Sequence, residues 1–189
     1  MTTYVKKSDN ELIHLFTSGN ESALDSLLER YKDKLFNTVL FIVKDKYHAE
    51  DISQDVFIKI IETLKSGKYK EEGKFLPWAM RIAHNLCVDY FRKLKRFPFV
   101  KSNSDTEVLD TLNCSEQNAE DKIIKVQSMG KAKELLEKLP EEQREVIILR
   151  HFANLSFKEI AEITGCSINT ALGRMRYGLM NLRKLMTGK

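Results

Sequence analysis

Apolar residues recur along this chain at intervals of three and four, rather than two, almost throughout. That spacing predicts helices and no sheet, because side chains three and four apart share one helix face whereas a strand alternates its faces. Breakers are sparse, with 8 glycines and 3 prolines in 189 residues. A first helix is expected over "LIHLF", since Ser8 and Glu11 before it have the S-x-x-E form of a capping box. Gly19-Asn20 then ends that helix and opens "ESALDSLLERYKDKLFNTVLFIV". In "HAEDISQDVFIKIIETLK" the residues Ile52, Val56, Ile60 and Leu64 form an apolar stripe, and Asp51, Gln54 and Asp55 share the opposite face. Pro77, tolerated in a first turn, is expected to open "PWAMRIAHNLCVDYFRKLKR", which runs to about Lys95. Trp78, Ala79, Ile82, Ala83, Leu86 and Tyr90 define its buried face, and Arg81, Asn85, Asp89 and Arg92 another.

After Pro98 the pattern stops. From Lys101 to Asp121 one lysine stands against six acids, with Ser, Asn and Thr between them, which predicts a mobile linker. Helical spacing resumes near Ile123, and Pro140 opens "EEQREVIILRHF". Ser156 and Glu159 make a second capping box before "FKEIAEIT". Gly165 supplies a turn, Ser167 caps the next start, and a last helix runs through "NTALGRMRYGLMNLRKL"; helix, glycine turn, helix is the helix-turn-helix pattern. The expected fold class is all-α: two small helical domains, residues 1–100 and 123–189, joined by an acidic flexible linker over 101–122.

Composition adds little until charge is located. At 42% hydrophobic, 31% charged and net +4, the chain is globular, and the modest net charge names no partner. From Thr164 to Lys189, however, there is no Asp or Glu. A helix lying in a DNA major groove has phosphates on both sides, which repel carboxylates and reward Arg and Lys. Asn169 and Thr170 stand where base edges are reached, Arg174 suits a guanine or a phosphate, and Arg176, Arg183 and Lys184 extend the positive surface. Bases interleaved with Trp78, Tyr90 and Phe91 in "RIAHNLCVDYFRKLKR" suit single-stranded or distorted DNA, on which aromatic rings stack. Cys87, Cys114 and Cys166 are scattered, with no C-x-x-C and no paired histidine spacing, so neither a disulfide framework nor a zinc site is indicated, and no cofactor is expected. No run reaches the length of a membrane span, so a cytoplasmic protein is expected. The four histidines have no ligand-like spacing and no catalytic motif occurs, so no enzyme activity is assigned.

Taken in order, "AEDISQDVFIK", "PWAMRIAHNLCVDYFRK", the acidic linker and "LPEEQREVIILRHFANLSFKEIAEITGCSINTALGRMR" resemble the extracytoplasmic function group of sigma-70 family RNA polymerase sigma factors. The resemblance implies region 2 and region 4 domains and a non-catalytic protein that gives core RNA polymerase its promoter specificity. It implies that Asp51, Gln54 and Asp55, matching the D-x-x-Q-[DE] segment, dock on the beta-prime clamp helices, with the beta flap a further contact. The loop from Gly67 to Phe75, with Tyr69 and Lys74, would capture a flipped base of the minus-ten element, and Asn85, Arg92 and Arg96 would line its DNA path. Ser167, Asn169, Thr170, Leu172, Gly173, Arg174, Arg176 and Tyr177 would meet the minus-35 element. Here the chain departs from the commonest pattern, Gly-Thr-Val, a base, Ser and Arg, having Asn169, Thr170, Ala171, Leu172, Gly173 and Arg174 instead. Leu172 in place of the base suits a thymine methyl and implies an unusual minus-35 sequence. The linker would thread toward the polymerase active-site cleft. Partners implied are core polymerase, promoter DNA and an anti-sigma factor of the membrane-anchored kind, the free protein being a monomer. The contrasting reading is an autonomous dimeric helix-turn-helix repressor or activator, which would bind a near-palindromic duplex without polymerase.

Overall fold

The computed structural model describes residues 7–70, 74–96, 132 and 134–187. Every regular element among them is helical, and they divide into two compact units on either side of Ser102. The linker over 101–122, Cys114 and the helix start near Ile123 lie outside the described residues.

The first unit holds α1 (Asp9–Thr17), α2 (Glu21–Val43), α3 (Lys46–Lys65) and α4 (Phe75–Arg96). The capping box at α1 forms as expected: Glu11 N–H donates to the Ser8 hydroxyl, and Ser8 N–H donates to the Glu11 carboxylate. Such a cap stabilises a helix start by about 1 kcal/mol. Helix α1 is then tied to α2, because Asp9 accepts from both the Arg30 guanidinium and the Tyr31 hydroxyl. Burial pushes the Tyr31 phenol up to about 12, and its hydrogen bond to Asp9 acts in the same direction. Asp45 starts α3 by accepting from His48 N–H, so this helix begins ahead of the expected His48.

The apolar stripe of α3 is buried as its spacing predicts, with Val56 and Ile60 at 0% exposure. Helix α4 departs from expectation in two ways. It begins at Phe75, not Pro77, because Pro77 is its third residue and amides that early have no intrahelical acceptor to lose. Its buried centre is Phe75, Ala79, Met80, Ala83, His84 and Cys87, while Trp78, Ile82, Leu86 and Tyr90 are half-buried flanks. Ala79 and Ala83 are buried as expected, but the face as a whole is rotated about a quarter-turn toward Met80, His84 and Cys87, where α2 and α3 pack.

The second unit holds α5 (Glu141–His151), α6 (Phe157–Thr164) and α7 (Ile168–Thr187), preceded by helical residues at 134–137. Four successive residues of α5, Val146 to Leu149, are buried, as befits a central helix covered on several sides. The second capping box forms at Ser156 and Glu159. Gly165 ends α6 with φ +65°, in the left-handed region that favours glycine, and Ser167 caps α7 by accepting from Thr170 N–H at 3.0 Å. At Gly178, α7 crosses α5 so closely that a β-carbon there would lie 2.8 Å from Ile147 Cδ1. Asn181 donates to Gln143 at 2.9 Å beside that crossing.

Candidate functional site

Three surfaces carry the residues the sequence singles out. The first is on α3. Its buried stripe turns Asp51, Gln54 and Asp55 outward, and all three are exposed. Beside them opens a cleft of about 580 Å³ between α3 and α4, lined by Asp51 and Asp55 on one wall and by Arg92, Lys93 and Arg96 on the other. Arg92 is paired with Asp89 at 2.9 Å, one turn away on its own helix. The rim is ordered by His48, whose ring lies 2.8 Å from Asp45 and 5.1 Å from the ring of Tyr90. Burial raises the Asp45 carboxyl, but hydrogen bonds from His48 outweigh it and hold the group below its usual range.

The second surface is the start of α4 with the loop before it. Tyr69 packs edge-on against Trp78 with ring centroids 4.6 Å apart, and Phe75 lies 5.6 Å from Trp78 and 5.4 Å from Tyr31. Phe75 is 1% exposed, so its side chain is the floor of this aromatic cluster and presents no surface to a ligand. Tyr69 and Trp78 are half-buried, and Lys74 and Asn85 are exposed. Residues 71–73 of the loop lie outside the described set. Asn85 is not brought to the cluster: it sits about 15 Å further along α4 than Phe75 by helical rise. Trp78, which spacing places on the buried face and its basic neighbours offer for stacking, is half-buried and is the ring that meets Tyr69.

The third surface is the start of α7. Ser167, Asn169, Thr170, Leu172, Arg176 and Tyr177 are exposed together, Leu172 at 44% and Tyr177 at 60%. The Thr170 hydroxyl is within 2.8 Å of Ser167 Oγ, so the capping pair is fixed. Arg174 differs from its neighbours: it is 21% exposed and its guanidinium lies 3.1 Å from the carboxylate of Glu142 on α5. Spacing within α7 had no means of showing a partner 32 positions upstream. Gly173 is half-buried, with open space where a β-carbon would be. Helix α6 is braced beneath by Arg150, which donates to Leu155 O at 2.7 Å and lies over the Phe157 ring at 5.2 Å.

Among the described residues no three His, Cys, Asp or Glu side chains are grouped to hold a metal ion, and no helix is long and apolar enough to cross a membrane.

Comparison with known proteins gives the family of the chain. Residues 27–97 match the family Sigma-70 region 2, and residues 130–175 match Sigma-70, region 4. The chain is 29% identical over 174 residues to the ECF RNA polymerase sigma factor SigW of Bacillus subtilis, covering 88% of this chain and 90% of that protein. Among solved structures it resembles CnrH in complex with the cytosolic domain of CnrY, with a TM-score of 0.68, 22% identity, and 97% and 99% of the two chains covered. It likewise resembles the sigma factor RpoE in complex with the anti-sigma factor NepR from Bartonella quintana, with a TM-score of 0.67, 20% identity, and coverage of 87% and 96%. An autonomous repressor or activator is not favoured, because both sigma regions are present and in order. The chain therefore belongs to the extracytoplasmic function group of the sigma-70 family, and it is an alternative sigma factor that acts in transcription initiation.

Proposed function

We propose that residues 1–100 bind core RNA polymerase and the minus-ten element, that residues 123–189 read the minus-35 element, and that 101–122 link the two. The observation that carries this reading is the start of α7, where a helix without a carboxylate of its own presents Ser167, Asn169, Thr170, Leu172, Arg176 and Tyr177 together to solvent. Polar side chains at a helix start suit base edges, and Arg176 suits a phosphate. Arg174 joins them by exchanging Glu142 for DNA, since Glu142 is solvent-exposed and such a pair is held by only about 1 kcal/mol. Gly173 leaves the backbone open to close approach.

Asp51, Gln54 and Asp55 dock on the beta-prime clamp helices of core polymerase by accepting basic side chains, with the beta flap meeting the second unit. The Tyr69–Trp78 ring pair offers aromatic surface to an extruded base, whose removal from the stack costs a few kcal/mol. Lys74, just before α4, and Asn85, Arg92 and Arg96 at exposed positions along it give the strand a path, and Phe75 supports the cluster from below. The acidic linker threads toward the polymerase cleft. Free protein is a cytoplasmic monomer, held inactive by an anti-sigma factor; a structural neighbour solved in complex with one supports that partner.

The test is a binding and transcription assay with bacterial core polymerase and genomic promoter fragments. The expected result is co-elution with core and start sites that require the protein. Specific retention of duplex DNA by a dimer, indifferent to core, would instead establish an autonomous regulator.

A further inference from the structure

The cleft between α3 and α4 has walls of opposite charge that do not neutralise each other. Asp51 and Asp55, one turn apart, stand on α3 with Lys59 one turn further along the same helix, and Lys93 and Arg96 stand on α4. Among the described residues the ion pair within this cleft is Arg92 with Asp89, both on α4. Neither Asp51 nor Asp55 pairs with Lys59, Lys93 or Arg96 there, although all five side chains are exposed and long ones can swing. Exposed opposite charges that face a common space, and are held apart by the packing of Ile52 and Leu86 beneath, are an arrangement completed by side chains from outside.

We infer that Lys59 and Lys93 are further core-polymerase-docking residues, and that the cleft takes a polymerase helix presenting both signs. On this arrangement, a basic side chain of that helix meets Asp51 and Asp55, and an acidic one about a turn away meets Lys93 and Lys59. The inference rests on the reading that Asp51, Gln54 and Asp55 dock polymerase, and the cleft is the continuation of that face. A purely basic partner filling the cleft would be repelled by the α4 wall, and a purely acidic one by Asp51 and Asp55. A helix with mixed signs fits both, and the pairing fixes its register as well as its affinity.

The experiment uses the full chain and bacterial core polymerase, with binding measured by competition at low and high salt. Its variants are Lys59→Glu/Lys93→Glu, the milder Lys93→Gln, and Asp51→Arg. Melting of each variant checks the fold. The double reversal is expected to weaken core binding by about 10-fold or more and Lys93→Gln by about 3-fold, with both effects shrinking at high salt. Wild-type core affinity in the lysine variants beside a loss in Asp51→Arg would overturn the inference while leaving the docking face intact. Normal binding by Asp51→Arg would remove the underlying reading, and the inference with it. Unchanged core affinity but lower open-complex yield at saturating protein would give the lysines to DNA and also overturn the inference.

Discussion

Helices α3 and α7 are each 20 residues long and each carries a candidate binding surface, yet α3 buries six of its residues and α7 buries two, Ala171 and Gly178. Helix α3 lays Ile52, Val56, Ile60 and Leu64 into the core of the first unit, so its acidic face is mounted on a rigid floor with few atoms shared between binding and folding. Helix α7 is gripped by small residues instead. With no β-carbon at Gly178, α5 comes close enough to hold it, and most of the perimeter stays free for contact. A docking face can be built on large side chains turned away from the partner, whereas a helix that must enter a groove has to be held along a narrow line.

The sharpest way to break that contrast is Asp51→Arg. Reversing an exposed charge on a well-packed helix should reduce core-polymerase affinity on the order of 100-fold, while thermal stability moves by no more than about 0.5 kcal/mol. Co-purification with core at wild-type yield would sink the docking assignment, and a large fall in melting temperature would show that face and floor are not separable.

Gly178→Ala probes the opposite mount. The new methyl meets Ile147 Cδ1, which is mobile at its tip, but also Gln143 Cβ at 3.3 Å, which is not. Overpacking of this kind costs about 1–3 kcal/mol, measurable by urea unfolding of the second unit, and minus-35 binding should fall because α7 shifts. Unaltered stability would mean that the crossing relaxes and that small residues are not what holds the helix.

How far the sequence reveals these surfaces follows from the range of the forces involved. Capping boxes at Ser8 and Ser156, the turn at Gly165 and the stripe of α3 depend on neighbours within one turn, and each is found where spacing puts it. The outward placement of Asp51, Gln54 and Asp55 follows from that stripe. What spacing did not reveal depends on residues far apart in the chain: the partnership of Arg174 with Glu142, the contact of Gly178 with Ile147, and the cleft that sets Lys93 opposite Asp51. The buried face of α4 depends on the same kind of distant partner: spacing puts Ala79 and Ala83 inside, but α2 and α3 packing on one side is what adds Met80, His84 and Cys87 and leaves Trp78, Ile82, Leu86 and Tyr90 as flanks.

Arg174 and Glu142 sharpen the comparison at the level of single contacts. Arg174→Ala should cost about 1–3 kcal/mol at one base pair of the minus-35 element if the guanidinium makes a two-pronged base contact. An equal loss on every sequence would assign it to phosphate. Glu142→Gln removes its competitor, so minus-35 affinity should rise slightly while stability falls by less than about 1 kcal/mol. If affinity falls instead, the pair orients Arg174 for DNA.

The smallest expected effect is the most discriminating for α7. Gly173 lies inside a helix where nothing within 4 Å would meet an added β-carbon, so packing does not require glycine there. Alanine should therefore raise stability by about 0.5–1 kcal/mol, through the backbone entropy that glycine loses on folding. If the absence of a side chain serves close approach of the α7 backbone to DNA, the same variant should bind minus-35 duplex more weakly although it is more stable, a divergence visible by comparing its melting curve with its DNA titration. Equal or better DNA binding by Gly173→Ala would show that the groove is read by Asn169, Thr170, Leu172 and Arg176 alone, with the helix standing clear of the duplex at Gly173.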